Sequence, residues 1–228
     1  MHTTQFRRHA RTYPRYNLIQ KRVARALLEK IPRTYRRIVD LGCGNGVLYH
    51  AYERPFISYL AVDAAPEMVA LHPSGPGVEK MVGDFNDPAL FEALKKRRFD
   101  LLLSSSSLQW AADLEFTLAS LASLQKPTAL TLFTAGTFAT LHRTAGVTSP
   151  IRSRVETVEA LRRHIGGEID ILKYELYFRD TLSMLRYIKR SGVSGGERQL
   201  GYKETKRILE TYPLSYLEFE VVRCIAIH

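Results

Sequence analysis

The chain has 228 residues, of which 45% are hydrophobic and 25% are charged, and its formal net charge at pH 7 is +10. This apolar content excludes intrinsic disorder as the main state, and the lack of a run of about 18 apolar residues argues against a transmembrane helix. Two cysteines without a CxxC pair or a Cys/His cluster exclude a disulfide scaffold and argue against a zinc site. With an N-terminus that lacks an apolar secretory core, these features predict a cytoplasmic protein without a metal.

The positive charge is concentrated at the N-terminal end. Residues 1–37 hold eleven of the 33 Lys and Arg residues but one of the 23 acids, Glu29, so the rest of the chain is electrically balanced. One interpretation is a solvated helix face that favours solubility. The other is an electrostatic contact surface for an anionic partner, such as nucleic acid, a membrane surface or an acidic protein.

The first predicted element is a helix from Asn17 to Lys30, where apolar residues recur at the 3.6-residue spacing and Asn17 stands at the N-cap position. Short buried strands and helices then alternate. The predicted strands are Arg37–Leu41, Tyr59–Asp63, Lys80–Gly83, Asp100–Ser104 and Ala129–Thr134, and the predicted helices are Pro66–Leu71, Pro88–Lys96 and Leu114–Leu124. This alternation predicts an α/β fold with a doubly wound, mostly parallel sheet and right-handed crossovers.

The C-terminal third departs from this simple alternation. Ser153 and Glu156 form a capping-box pattern that opens a helix ending near His164. Two strands follow, at Ile169–Phe178 and Leu214–Ile227, and two helices lie between them. We interpret residues 179–212, which contain those helices, as an insertion that forms a lid. The whole chain, residues 1–228, is predicted to be one domain with a basic helical arm over residues 1–35.

The most informative stretch is residues 38–46, with the sequence IVDLGCGNG, in which an apolar strand leads into Asp40 and three glycines at alternate positions. Glycine lets the backbone turn sharply and lets a ligand approach it closely. A dinucleotide-binding loop would have the spacing G-x-G-x-x-G, and an acid beside its pyrophosphate would be unfavourable. The spacing G-x-G-x-G beside an acid instead suits a cationic ligand.

The next three predicted strands also end in polar residues suited to a ligand. Asp63 ends the second strand, where a carboxylate can accept hydrogen bonds from ribose hydroxyls. Asp84 and Phe85 follow the third strand, and Ser104 and Ser105 stand at the end of the fourth. Ligands of parallel sheets bind at the carboxyl ends of the strands, so these positions meet at one edge. Each acid taken alone could be a helix N-cap or a surface residue, but their succession favours a shared site.

This pattern over residues 38–110 resembles the class I S-adenosylmethionine (SAM) methyltransferases, which have a Rossmann-like seven-stranded fold. The resemblance implies SAM as the cofactor, S-adenosylhomocysteine (SAH) as its product, and no metal. The cofactor-binding residues that it implies are Gln20, Asp40, Gly42, Cys43, Gly44, Asp63, Ala64, Asp84, Phe85, Ser104 and Ser105. Gln20 would reach the methionyl carboxylate, unless it only faces solvent, and Cys43 would fill space in the glycine loop.

Further motifs narrow the resemblance to the malonyl-acyl-carrier-protein O-methyltransferases, the BioC-type enzymes of biotin synthesis. They are Phe6-x-x-x-Ala10-x-x-Tyr13, Leu108-Gln109-Trp110, Phe133-Thr134, Leu141-His142, Leu185-Arg186-x-x-Lys189-x-x-Gly192 and residues 212–216. The resemblance extends from Phe6 to Ile225, although segments 73–77 and 149–154 match no family pattern. It implies methyl transfer from SAM to the free carboxylate of a malonyl thioester. The implied partner is an acidic acyl carrier protein bearing malonyl-phosphopantetheine, with no membrane involved.

The resemblance also implies a set of substrate-side residues, namely Tyr13, Gln109, Trp110, His142 and Arg143. A malonyl carboxylate is already ionised at pH 7, so we expect these residues to position it rather than to act as a general base. Each has a structural alternative. Tyr13 could be an aromatic plug over the cofactor, Gln109 a loop amide and Trp110 a core or cofactor wall, while His142 and Arg143 could be a helix-surface pair.

Three other functions stay open at the level of sequence. A nucleic-acid methyltransferase would suit the basic charge, but the loop Ser-Leu-Gln-Trp differs from the Asn/Asp-Pro-Pro-Tyr/Phe loop of enzymes that act on exocyclic amines. This difference argues against RNA as the substrate. A methyltransferase for another small carboxylic acid would not need the basic segment. A SAM-binding protein without catalysis would keep the acids and the glycine loop.

Overall fold

A computed structural model describes residues 17–191 and 200–227 of the chain. Its centre is a sheet of strands β1 (Arg37–Leu41), β2 (Ser58–Asp63), β3 (Val78–Val82), β4 (Leu101–Ser105), β5 (Thr128–Phe133), β6 (Glu168–Tyr177) and β7 (Tyr216–Ala226). The seven strands lie in the order β3-β2-β1-β4-β5-β7-β6. Strands β1 to β5 pair in parallel, and β7 runs antiparallel to both β5 and β6. The predicted doubly wound, mostly parallel seven-stranded sheet is confirmed.

Nine helices connect the strands in the described part of the chain. They are α1 (Leu18–Glu29), α2 (Val47–Ala51), α3 (Pro66–Leu71), α4 (Pro88–Lys95), α5 (Leu114–Ser123), α6 (Ala139–Ala145), α7 (Arg154–His164), α8 (Thr181–Ser191) and α9 (Tyr202–Thr211), with a 3₁₀ turn at Leu108–Trp110. Helix α2 and the 3₁₀ turn were not predicted, because elements of five and three residues are too short to show a hydrophobic period. None of the described helices is long and apolar enough to cross a membrane.

Most predicted boundaries are correct to within two residues. The third strand begins at Val78 rather than at Lys80, because Val78 already pairs with Tyr59 of β2. Asn17 is the N-cap residue of α1 as predicted, but its side chain makes no capping hydrogen bond. The capping box at the start of α7 is confirmed, since Ser153 and Glu156 bond to each other's backbone N–H groups.

Alternating side chains of the central strands enter two cores on opposite faces of the sheet. Val39 and Leu41 of β1 join the core beneath α4, α5 and α7, whereas Ile38 joins the core formed with α1 and α2. The other central strands divide their apolar residues in the same way. Asp40 is two positions after Ile38 in β1, so its side chain lies on the same face of the sheet, towards α1 and α2, although it is an acid. The strand period therefore places one carboxyl group inside an otherwise apolar layer.

The predicted lid, residues 179–212, contains α8 and α9, and residues 192–199 of it lie outside the described residues. Both helices are anchored in a third core with β7, because Met184, Ile188 and Ile208 are buried together with Phe219. A lid movement of this segment would have to separate that cluster, so the lid stays a prediction. The predicted arm is described from α1 onward, and residues 1–16 lie outside the described part.

Candidate active site

A cavity opens at the carboxyl ends of β1, β2, β3 and β4. Its wall is formed by Gln20, Asp40, Gly42, Cys43, Gly44, Asn45, Val47, Leu48, Asp63, Ala64, Ala65, Met68, Asp84, Phe85, Asn86, Ser105, Ser106, Ser107, Trp110 and Ala112. This is the edge at which ligands bind in open parallel sheets. The four signals at successive strand ends in the sequence thus lie around one space.

The glycine loop after β1 turns back against β2. The N–H groups of Gly42 and Cys43 donate to the carbonyl oxygen of Val62 at 2.8 and 2.9 Å. Gly42 has a φ angle of +76°, and a Cβ there would lie 2.3 Å from Ser107 Oγ. Gly44, with a φ angle of +53°, would meet nothing within 4 Å. Position 42 therefore needs glycine for packing inside the protein, whereas position 44 leaves room at the cavity wall.

Asp63 links the glycine loop to β2. Its carboxylate accepts hydrogen bonds from the N–H groups of Gly44 and Ala65, each at 2.9 Å. Burial raises the pKa of Asp63, and these two backbone donors oppose that shift. Because both donors are backbone groups, the orientation of Asp63 is determined by the path of the two loops.

Asp40 has a different environment from Asp63. It is 1% exposed and accepts a hydrogen bond at 2.7 Å from the hydroxyl group of Tyr59. Burial raises the pKa of Asp40 to about 7, although the Tyr59 hydrogen bond lowers it. Burial also raises the pKa of the Cys43 thiol, so this residue is a neutral space-filling thiol at the cavity wall.

The charge of the wall is one-sided. Asp40, Asp63 and Asp84 line the cavity, and no Lys or Arg of the described residues does so. Three buried oxygen atoms of wall residues, Gln20 Oε1, Asn45 Oδ1 and Ser106 Oγ, have no hydrogen-bond partner among the described residues. Buried polar atoms of this kind normally have a partner, so they mark places for donors of a ligand. An acidic wall with spare acceptors fits a cofactor with a cationic end and sugar hydroxyls, and it does not fit a pyrophosphate.

Comparisons with known proteins agree with this geometry. A methyltransferase domain family matches residues 39–130. A malonyl-[acyl-carrier protein] O-methyltransferase from Anoxybacillus flavithermus is 31% identical over 52% of this chain and 46% of the relative. One of the same name from Chlorobium luteolum is 28% identical over 96% of this chain and 89% of the relative. The chain is thus similar in sequence to methyltransferases. Its predicted resemblance to the malonyl-acyl-carrier-protein O-methyltransferases is confirmed.

Two further comparisons set the extent of the similarity. The chain spans about half the length of the first three curated relatives that it matches, at 46%, 53% and 52%. The YcgJ protein from Bacillus subtilis superposes with a TM-score of 0.61 at 15% identity, over 90% of this chain and 98% of that chain. A SAM-dependent methyltransferase from Thermotoga maritima superposes with a TM-score of 0.57 at 15% identity, over 97% and 98%. These two structures support the class I methyltransferase fold.

Most of the residues predicted to bind the methyltransferase cofactor lie together at the cavity. Those that line it are Gln20, Asp40, Gly42, Cys43, Gly44, Asp63, Ala64, Asp84, Phe85 and Ser105, and the predicted substrate residue Trp110 lines it as well. Ser104 does not, because its hydroxyl points inward and donates to the carbonyl oxygen of Leu41 at 2.7 Å. It supports the glycine loop from behind. The cofactor contacts of the lining residues stay predictions.

Three of the other predicted substrate residues, Gln109, His142 and Arg143, do not line the cavity. The amide of Gln109 donates to the carbonyl oxygen of Ser106 at 2.7 Å, which matches the alternative of a structural loop amide. His142 and Arg143 lie on α6, where burial lowers the pKa of His142 and Arg143 contacts Thr140 Oγ1 at 3.3 Å. Tyr13 lies outside the described residues.

Several wall residues were missed from the sequence, among them Asn45, Met68, Asn86, Ser106, Ser107 and Ala112. Asn45 and the serines stand inside motifs already noted, so counting every polar residue of those loops could have found them. Arg152 lies in the segment without a family pattern. Its guanidinium donates to the carbonyl oxygen of Ala112 at 2.9 Å, and its own carbonyl oxygen accepts from Ala135 N–H at 2.8 Å. A cation therefore lies beside the cavity rim.

Proposed function

We propose that this protein transfers the methyl group of SAM to the free carboxylate of a malonyl thioester, carried by an acyl carrier protein. The product would be the methyl ester that begins the synthesis of the pimeloyl part of biotin. The observation that carries the proposal is the acidic wall at the ends of β1 to β3, with unpartnered acceptors and without Lys or Arg among its described residues. The names of the curated relatives support the choice of acceptor.

SAM, when bound, supplies a methyl group activated by a positively charged sulfur. Asp63 would accept the ribose hydroxyls, and Asp84 with Phe85 would hold the adenine end. Asp40, Gln20 and Asn45 would receive the ammonium-bearing end. Apart from Gln20, which lies on α1, these side chains lie at strand ends or on the loops that follow them, so they can hold the reacting carbon at one place.

The acceptor requires little acid-base chemistry. A carboxylate is ionised at pH 7, and no His or Lys lines the described cavity wall, so the protein needs to orient the acceptor oxygen and exclude water. Trp110 and Ala112 supply apolar surface in the cavity wall. In this arrangement the reaction rate depends on the alignment of the acceptor oxygen with the methyl group of SAM.

Arg152 is the candidate for orienting the acceptor carboxylate. In the described part of the chain its guanidinium has no carboxylate partner within salt-bridge distance, and it is held at the rim by Ala112. The neighbouring Arg154 is paired with Glu220 at 3.4 Å. An acidic wall with a basic rim matches a cationic cofactor and an anionic acceptor.

The basic N-terminal segment, residues 1–37, would attract the acidic carrier protein. In its described part the exposed cations are Lys21, Arg22, Arg25, Lys30, Arg33 and Arg36, of which Lys30 pairs with Glu168. Exposed charges of this kind mainly increase the rate of association and weaken as salt rises. They would thus favour the protein-bound acceptor over a small one.

The decisive experiment offers the purified protein SAM together with malonyl-carrier protein, malonyl-CoA, free malonate or RNA. Mass spectrometry would detect the addition of one methyl group. We expect methylation of malonyl-carrier protein and weaker methylation of malonyl-CoA. Methylation of free malonate or RNA in preference to both thioesters would overturn the proposed acceptor, and a failure to bind SAH would overturn the cofactor.

A further inference from the structure

Asp40 receives its hydrogen bond from a residue of the neighbouring strand. In the sheet register, Tyr59 of β2 stands opposite Ile38, and Ala61 stands opposite Asp40. Tyr59 and Asp40 are therefore diagonal neighbours on the same face, a distance that a long aromatic side chain can span. The Tyr59 hydroxyl donates to Asp40 Oδ2 at 2.7 Å, and both residues are almost completely buried.

An aromatic cluster holds the Tyr59 ring in this position. The ring of Tyr49 packs edge-on at 5.1 Å between centroids, and those of Phe56, Tyr52 and His72 follow at 5.7, 6.0 and 6.0 Å. Tyr52 directs its own hydroxyl away, to the carbonyl oxygen of Tyr35 at 3.1 Å. Among the described residues, Tyr59 is thus the single side-chain donor to Asp40.

Few ionisable groups act on this pair. The Asp63 carboxylate raises the pKa of Asp40, and burial raises the pKa of Tyr59 further above its ordinary value, so that its hydroxyl stays protonated. The other titratable or charged groups around the pair, element by element, are Cys43 in the glycine loop, Tyr49 and His50 on α2, Tyr52 after it, His72 after α3, and Lys80 on β3. Lys80 donates to the backbone carbonyl of His72.

We propose that Tyr59 is a positioning residue of the cofactor site, whose hydroxyl holds the carboxylate of Asp40 in the ionised, oriented form that receives the ammonium-bearing end of the cofactor. The inference rests on the proposed use of SAM, and it concerns a residue that does not itself line the cavity.

The physical reason is the competition between burial and the hydrogen bond. Burial favours the neutral carboxylic acid, and a hydroxyl donor favours the carboxylate. With the donor present, the pKa of Asp40 is about 7. Without it, a larger fraction of Asp40 is protonated at neutral pH, and a neutral acid attracts an ammonium group poorly. Cofactor affinity should therefore increase as the pH rises through about 7, and this increase should occur at a higher pH when the hydroxyl is absent.

The test compares the wild type with Tyr59→Phe and with the control Tyr52→Phe, which removes a hydroxyl from the same cluster. Calorimetry would measure SAH affinity from about pH 5 to about pH 9, using the ratio of variant to wild type so that the titration of SAH itself cancels. Tyr59→Phe should bind SAH about fivefold to tenfold more weakly at pH 7, with the rise in affinity moved up by about one pH unit. The SAH affinity of Tyr59→Phe should approach that of the wild type at about pH 9. Tyr52→Phe should follow the wild type.

A second measurement needs no cofactor. The unfolding temperature of the free protein should fall as the pH rises from about 4 to about 7, and in Tyr59→Phe this fall should continue to higher pH. If Tyr59→Phe does not fold, Asp40→Asn serves instead, and the pH dependence of SAH affinity around neutrality should disappear.

An equal loss of SAH affinity at every pH, or the same shift in Tyr52→Phe, would overturn the inference and leave Tyr59 as a packing residue. A wild-type protein that does not bind SAH would instead overturn the proposed function. The unfolding measurement would still report on the Tyr59–Asp40 pair in that case.

Discussion

At the carboxyl ends of β1 to β4, acidic side chains face a cavity, whereas the acids at the start of β7 are engaged inside the protein. Glu218 and Glu220 accept hydrogen bonds from Thr140 and Thr134, each at 2.6 Å. Around the cavity, by contrast, Gln20 Oε1 and other buried oxygens have no hydrogen-bond partner within residues 17–191 and 200–227. The first half of the sheet thus leaves several polar atoms unpaired at the cavity among the described residues, and the second half uses Glu218 and Glu220 to fix its own loops. Changes in the two halves should affect binding and stability differently.

The largest effect should come from the glycine loop. Gly42→Ala combines a positive φ angle with a Cβ at 2.4 Å from Ser107 Cβ, so we expect a loss of roughly 2–5 kcal/mol in unfolding free energy together with loss of SAH binding. Gly44→Ala is the control, because its Cβ meets no atom within 4 Å. It should cost about 1 kcal/mol in stability and still block binding, since its methyl group enters the cavity. Equal stability of the two variants, by chemical denaturation, would contradict this account.

Asp40→Asn should separate binding from stability. The pKa of Asp40 in the folded protein, about 7, lies above the ordinary 3.8, so the folded state holds the proton more tightly than the unfolded one. The stability from this group is complete below about pH 4 and is lost as the pH rises through about 7. The full difference corresponds to roughly 4 kcal/mol.

In the absence of SAH, Asp40→Asn should therefore be more stable than the wild type at about pH 8 and equally stable near pH 4. It should also bind SAH more weakly than the wild type. Thermal unfolding across this range, with SAH calorimetry at neutral pH, is the measurement. If the unfolding temperature of the wild type relative to that of Asp40→Asn does not fall with rising pH, the pKa of Asp40 is not raised in the folded protein.

Charge reversal of the N-terminal segment should reduce use of the carrier-bound acceptor. With Arg7, Arg8, Arg11 and Arg15 replaced by Glu, we expect kcat/KM for malonyl-carrier protein to fall by about one to two orders of magnitude, with a much smaller fall for malonyl-CoA. Added salt should weaken the wild type selectively in the same way. Equal losses of kcat/KM on both substrates would indicate damaged folding. No loss on either substrate would favour the alternative interpretation, in which the segment is a solvated surface.

Arg152→Gln tests the basic rim, with Arg154→Gln as the matched control. Loss of a charged hydrogen-bonding group should raise KM for the malonyl substrate about tenfold and leave SAH affinity unchanged. The Arg154 change removes a partly exposed ion pair with Glu220 and should alter KM little. The assignment of Arg152 is wrong if the two variants have the same KM.

The smallest effect should come from the cap of α7, in the half where polar groups serve stability. Ser153→Ala removes the side-chain acceptor of the capping box and should cost about 1 kcal/mol in unfolding free energy. SAH affinity should not change, because the cap lies outside the cavity wall. If Ser153→Ala loses SAH affinity without losing stability, the distinction between a ligand-binding and a stabilising half of the sheet is wrong.

The sequence by itself determined the central parallel strands and the acidic part of the cavity wall. Strands β1, β2, β4 and β5 are short, mainly apolar runs. The polar and glycine residues of the cavity, namely Asp40, Gly42, Gly44, Asp63, Asp84 and Ser105, stand at or just beyond strand ends. Since parallel strands bring their carboxyl ends to one edge, a local pattern was enough to predict that these residues meet. The capping box of α7 is local in the same sense. Asn17 occupies its predicted cap position, but the direction of its side chain was not predictable from that position.

Only the tertiary structure decided which polar side chains face the cavity and which support it. Ser104 and Ser105 are neighbours in the sequence, yet the strand period directs the first inward to Leu41 and the second to the cavity. Tyr59 reaches Asp40 through the register of β1 and β2, nineteen positions apart, and Arg152 reaches Ala112 forty positions away. Such contacts depend on pairing and packing between distant segments, so no spacing in the chain could predict them.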